Sequence, residues 1–286
     1  MVPAMLEETK IYHDVLWQKA QSGHIFELDT LTLRFTMSLI GQTVLNTALG
    51  AQTGSKPLAD GMMTTIAWMM PNREINPLEQ LNFVRDFVHW YYGRQMNKYT
   101  GAILDQCYRE LQGHEAVGKA KSVMDLVLEA YIKEQGDKDK TITPRLDPAF
   151  RAFAITQIRL FLFVGHDSLS TTICYAIYLL AKNSETPERL RSEYDSVSID
   201  TADLSRKIKT NPKLLNSLPY THAVLKETLR LFPPGSATRQ GYKGINLIDN
   251  QGKQYPLENM FVWVLHVAMH KEEQYWVDPD EFIPAR

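Results

Sequence analysis

The sequence predicts a mainly α-helical fold with one small β-sheet late in the chain. Three observations carry that prediction. Apolar residues recur at three- and four-residue spacing through roughly the first two hundred residues. A proline-free, largely apolar stretch runs from about Ala149 to Lys182, far longer than any ordinary strand. Period-two alternation is confined to the segment from Gly244 to Leu265.

The elements follow in order. After His24, Asp29 or Thr30 is placed to cap a helix whose apolar positions include Leu31, Phe35, Leu39, Ile40 and Val44. Gly50 to Pro57 reads as a loop. Pro77 opens a further helix with Leu78, Leu81, Val84, Val88, Tyr91 and Tyr92 on its inner side. Gln112 to Ser122 is polar, Val123 to Tyr131 is again helical, and Gly136 to Pro148 is a charged loop punctuated by prolines. The long helix then runs to Lys182, its length suggesting that it crosses the centre of a domain. A shorter helix covers Glu185 to Val197, and another spans about Pro219 to Leu231, stopped by Pro233-Pro234. Two strands are expected around the turn Asp249-Asn250-Gln251-Gly252, the second of them Met260 to Leu265.

Composition narrows the function classes. Hydrophobic residues are 44% of the 286-residue chain, which makes it globular. A formal net charge of −2 gives no reason to expect nucleic acid as a partner. No Cys/His cluster has zinc spacing, so no metal-ligating set is assigned, and the two cysteines, Cys107 and Cys174, fit a reducing compartment. The longest apolar runs, Leu160 to Gly165 and Ile173 to Ala181, are too short for a membrane span. Nothing at the N-terminus has the form of a signal peptide.

Four strings carry chemistry. In the long helix, Val164-Gly165-His166-Asp167-Ser168 places a glycine, a carboxylate and a hydroxyl inside an oily run. Glycine costs about 1 kcal/mol there, so a compensating reason is expected, such as close approach of a flat cofactor at Gly165. Asp167 and Ser168 together can form a short proton relay. Taken alone, the stretch reads more readily as a solvated notch with satisfied hydroxyls. Glu227 and Arg230 share a helix face at three-residue spacing, which is usually a surface ion pair unless it is buried. Arg239 follows the double proline in a strand, where it can clamp a carboxylate or stand solvated. The coil from Tyr275 ends in Phe282-Ile283-Pro284-Ala285-Arg286, and Arg286 can complete the pair as a triad.

In this order the four strings closely resemble the cytochrome P-450 family of haem-thiolate monooxygenases. The resemblance implies an incomplete form of that fold over residues 1–286 as a single partial domain, with the long helix as the family's central helix over the haem. It makes Asp167 and Ser168 the acid–alcohol pair, with serine where threonine is more common. It makes Glu227, Arg230 and Arg286 the structural triad, with Ala285 where glutamate is usual. Arg239 becomes a contact to a haem propionate and Gly165 the point of close cofactor approach. The cofactors implied are haem b and NADPH through a flavoprotein reductase. The substrate implied is a small organic molecule, and the style of the motifs is most like fungal members acting on secondary metabolites. The family typically resides at the endoplasmic reticulum membrane.

Two family segments have no counterpart in this sequence: the Gly-rich cysteine loop that supplies the iron thiolate, and the Trp-x-x-x-Arg helix. Cys107 and Cys174 read as ordinary thiols, and His266 with His270 lacks the carboxylate of a metal motif. The chain as written is therefore expected to be truncated at both ends and to lack the family's activity. The alternative is a non-catalytic remnant or helical interaction protein that binds no haem.

Overall fold

The computed structural model describes residues 2–54, 56–69, 82–112, 121–137 and 145–286. They form ten α-helices and four short strands among the described residues. The residues fall into two compact units, Met1–Ser170 and Thr171–Arg286.

In the first unit, α1 (Val2–Ser22) meets α2 (Leu28–Leu45) through Tyr12. Its ring stacks on Phe35 at 4.4 Å and its hydroxyl lies 2.7 Å from that of Thr32. The cap of α2 is Glu27, not Asp29 or Thr30; the chain turns helical two or three residues sooner, and Thr30 donates back to the Glu27 carboxylate. Short α3 (Pro57–Ala67), a helix the sequence reading did not separate, starts with proline in its first turn and packs on α4 (Phe83–Gln112). The expected start at Pro77 and the positions Leu78 and Leu81 lie outside the described residues. The inner face of α4 also differs from expectation. Val84 and Tyr91 point outward, while Met96, Thr100, Gly101, Leu104 and Tyr108 are buried. Helix α5 (Val123–Asp137) begins with a reciprocal cap: Ser122 Oγ accepts from the Asp125 amide, and Asp125 accepts from the Ser122 amide. These helices enclose a core that includes Met37, Leu45, Leu58, Met96, Leu104, Met124, Leu128 and Leu162.

Helix α6 (Pro148–Lys182) is the predicted long helix. Its start has a clear cause: Pro148 sits at the first position, and the Asp147 carboxylate accepts from the amides of Ala149 and Phe150 at 3.0 and 2.9 Å. Ala154, Ile158, Leu162, His166 and Ser170 recur every four residues and are all buried, so one narrow stripe faces the core. By length and composition alone α6 is one candidate for a membrane-crossing helix among the described residues, longer than the apolar runs read from the sequence. A core helix passes the same test, and Arg151 and Arg159 tie α6 to Asp105 and Asn97 of α4 by hydrogen bonds of 2.8–2.9 Å.

In the second unit, α7 (Glu185–Val197), α8 (Thr201–Thr210) and a 3-10 turn lead to α9 (Pro219–Leu231). The N-terminus of α9 is capped from another helix. Glu193 of α7 accepts from the amides of Tyr220 and Thr221 and from the Thr221 hydroxyl, at 2.6, 2.9 and 2.6 Å. Four strands then form two antiparallel pairs. β2 (Asn246–Ile248) and β3 (Gln254–Pro256) make the hairpin around the expected turn. The stretch expected to be its second strand, β4 (Phe261–Val264), pairs instead with β1 (Ala237–Gln240), placing Arg239 opposite Val262. Helix α10 (His266–Met269) follows, and the rest is coil.

The cross-helix cap yields a prediction. Replacing Glu193 by Ala leaves two amide donors of α9 unpaired and should cost about 1 kcal/mol, read as a lower denaturant midpoint. An unchanged midpoint would show that solvent caps α9 equally well.

Candidate functional site

Two groups of the sequence-selected residues have well-defined geometry. The first lies in the second unit around Glu227, a carboxylate only 6% exposed. Arg230, one turn on and 4% exposed, forks onto it, Nε donating to Oε2 and Nη2 to Oε1, both at 2.9 Å. Arg286 Nε donates to Oε1 at 2.9 Å, and the Ile283 amide donates to the same oxygen at 3.0 Å. The three selected residues therefore form one hydrogen-bonded cluster.

The remaining donors go to the coil. Arg230 donates to the carbonyls of His270, Pro279 and Glu281 at 2.7–3.0 Å, so all five guanidinium N–H groups are occupied. Arg286 donates to the carbonyls of Val277, Asp278 and Glu281. A coil has no ladder to satisfy its carbonyls, and here two arginines supply the donors. Trp276 covers the Arg230 guanidinium, 5.0 Å from ring centroid to Cζ. Burial on its own would raise the Glu227 pKa. The hydrogen bonds from Arg230, Ile283 and Arg286 outweigh it and hold the carboxyl below the usual glutamate range.

The second group lies on α6 in the first unit. Asp167 is exposed, beyond the edge of the buried stripe. The Ser168 hydroxyl is half-buried and donates to the Val164 carbonyl one turn back, at 2.7 Å. Leu160, Phe161 and Val164 beside them are 50–53% exposed, an apolar strip open along this side. The Gly165 position has a different explanation from the one expected. A Cβ there would lie 2.4 Å from Ile40 Cδ1 of α2, so a neighbouring helix, and not a ligand, occupies the space that the glycine leaves. His166, which the sequence reading left without a role, is fully buried. Its Nδ1 is 2.8 Å from the Leu162 carbonyl, while Nε2 has no partner.

Arg239 is exposed on β1 and donates to the adjacent Thr238 carbonyl. His266 and His270 are turned to backbone, with Nδ1 atoms 3.2 Å from the Gly235 carbonyl and 3.1 Å from that of Arg230. Among the described residues no cluster of His, Cys, Asp and Glu is arranged to hold a metal ion.

The family pattern described as Cytochrome P450 matches residues 1–286. The chain belongs to the cytochrome P450 family. It is 36% identical over 287 residues to the cytochrome P450 monooxygenase polC of Polytolypa hystricis, covering 100% of this chain and 51% of that protein. To the monooxygenase acrF of Aspergillus aculeatus it is 29% identical over 291 residues, covering 100% of this chain and 56% of the relative. The chain thus spans about half the length of these relatives. A crystal structure of a cytochrome P450, CYP102L1, superposes with a TM-score of 0.70 over 98% of this chain and 56% of that one; at 19% identity this shows the fold alone.

Cytochrome P450 proteins carry haem, and the residues here fit that group in part. Taken separately, the open apolar strip of α6 suits a flat macrocycle or an oily substrate, and the exposed guanidinium of Arg239 suits a propionate. Neither of the two cysteines is set up as a thiolate ligand. Cys107 lines a groove of about 570 Å³ that carries charge of both signs, Lys121 beside Glu110, Asp125 and Glu129, with Lys121 paired to Glu129. Cys174 is half-buried in the body of α6, away from any glycine-rich loop.

The buried carboxylate sets a pH dependence. The Glu227 pKa is depressed on folding, so its stabilisation is present above the unfolded value near 4.3 and is lost as pH falls through the folded value. Glu227→Gln should destabilise the chain by about 3 kcal/mol at neutral pH and lose less on acidification than the parent does. Equal acid sensitivity of variant and parent in denaturant titrations would contradict this role.

Proposed function

We propose that these residues belong to a haem-dependent monooxygenase that oxidises a small organic molecule, a fungal secondary metabolite. Electrons come from NADPH through a flavoprotein reductase. The observation that carries the reading is the family match over residues 1–286, with Asp167 and Ser168 in the notch of the long helix. A bound haem would supply oxygen activation, with one oxygen atom of dioxygen entering the substrate and the other leaving as water at the expense of two electrons from NADPH and two protons.

The chain's own residues serve proton delivery and support. Asp167 is exposed and takes protons from solvent. Ser168 now donates to Val164; by rotating about χ1 it releases that bond and turns its proton outward. Leu160, Phe161 and Val164 give the reacting side an apolar wall that excludes water. Arg239 neutralises a propionate, and Glu227, Arg230 and Arg286 brace the coil.

Two measurements test the proposal. In a haem-loaded, reductase-supported enzyme carrying these residues, Asp167→Asn should lower product formed per NADPH consumed by about a hundredfold. An unchanged ratio would remove Asp167 from proton delivery. The 286-residue chain alone, supplied with haem, should give no thiolate-type reduced carbon-monoxide spectrum, because neither cysteine sits in a setting that favours a thiolate ligand. Appearance of that spectrum would assign the ligand to Cys107 or Cys174.

A further inference from the structure

Asp167 and Ser168 can act only if α6 presents them at a fixed rotation about its axis. The back of the helix at this level touches α2 at two points. Thr36 and Ile40 are four residues apart on α2, hence one turn apart on one face. Ile40 fills the space that Gly165 leaves, with Cδ1 at 2.4 Å and Cγ1 at 2.7 Å from where a Cβ would stand. Cδ1 can swing aside, but Cγ1 is fixed by the single χ1 rotamer that isoleucine favours in a helix. One residue further along α6, the His166 carbonyl is 2.9 Å from the Thr36 hydroxyl. Thr36 is fully buried, and its hydroxyl also lies 3.0 and 3.2 Å from the carbonyls of Thr32 and Leu33, so its one proton is shared between its own helix and α6.

We propose that Thr36 and Ile40 are positioning residues forming a two-point latch, one polar and one steric, that sets the rotation of α6 at Gly165 and His166. The latch holds the buried stripe inward and so turns Asp167 outward. A larger residue at 165 would push α6 away from α2, and loss of the Thr36 hydroxyl would remove the bond that opposes rotation. The functional meaning of the latch rests on Asp167 and Ser168 being the proton-handling pair. Its existence does not, and the two can be tested apart.

The experiment is amide hydrogen exchange on the 286-residue chain. Thr36→Val keeps the shape and removes the hydroxyl. It should speed exchange of the amides from Asp167 to Ser170 about tenfold, the ratio that one buried hydrogen bond supports, while amides of α4 keep their rates. Thr36→Ser restores the hydroxyl and should return exchange close to the parent. Gly165→Ala should speed the same amides, and adding Ile40→Ala should slow them again by opening room for the new methyl group. Parent-like exchange in Thr36→Val overturns the polar point. Faster exchange spread evenly over the unit, in both the Val and the Ser variants, overturns it equally. A Gly165→Ala variant that exchanges as the parent does, or that Ile40→Ala fails to relieve, overturns the steric point. Should the latch stand while Asp167→Asn leaves coupling unchanged, the proton role falls and the latch does not.

Discussion

A carboxylate taken out of water must be repaid in hydrogen bonds, and Glu227 shows how completely this can be done. Its two oxygens accept from Arg230, Arg286 and the Ile283 amide, and the same arginines reach on to carbonyls from His270 to Glu281. Without those donors the coil would have to hydrate its carbonyls and could not lie against α9. The coil, the end of α9 and α10 are therefore ordered together. The cap that Glu193 places on the start of α9 fixes the other end of the same helix.

The long helix obeys a different constraint. Its stripe of residues every fourth position is buried, and polar atoms along that stripe are matched one at a time: Thr36 to the His166 carbonyl, Ser170 toward Asp29 at 3.5 Å, His166 Nδ1 to Leu162. Only His166 Nε2 is left unmet on this stripe. Because the polar requirements are satisfied behind the helix, the front can remain open and apolar around Asp167 and Ser168. This division of labour between faces arises from local chemistry.

Elements with local causes were legible in the sequence. The start of α6 and both ends of α9 are marked by prolines, and the hairpin around Asp249 to Gly252 by its turn residues. The Glu-x-x-Arg spacing showed that Glu227 and Arg230 share a face, though only the fold shows them buried. Features built across the chain were not legible. Nothing in the alternation of Met260 to Leu265 says that its partner is the strand of Arg239 and not the hairpin. Nothing near Pro219 reveals that its cap lies on α7. Gly165 shows the limit most clearly: the need for a glycine was visible, while the body that fills its space, Ile40, is set by how α2 lies on α6.

The central claim is that one buried charge cluster joins α9 to the coil ending at Arg286. A double-mutant cycle with Glu227→Gln and Arg286→Ala tests it directly by denaturant unfolding. Direct partners should give a coupling energy on the order of 1–3 kcal/mol, with the double variant much less destabilised than the sum of the singles. Strict additivity would mean that Arg286 and Glu227 act independently, and the bracing described here would then be wrong.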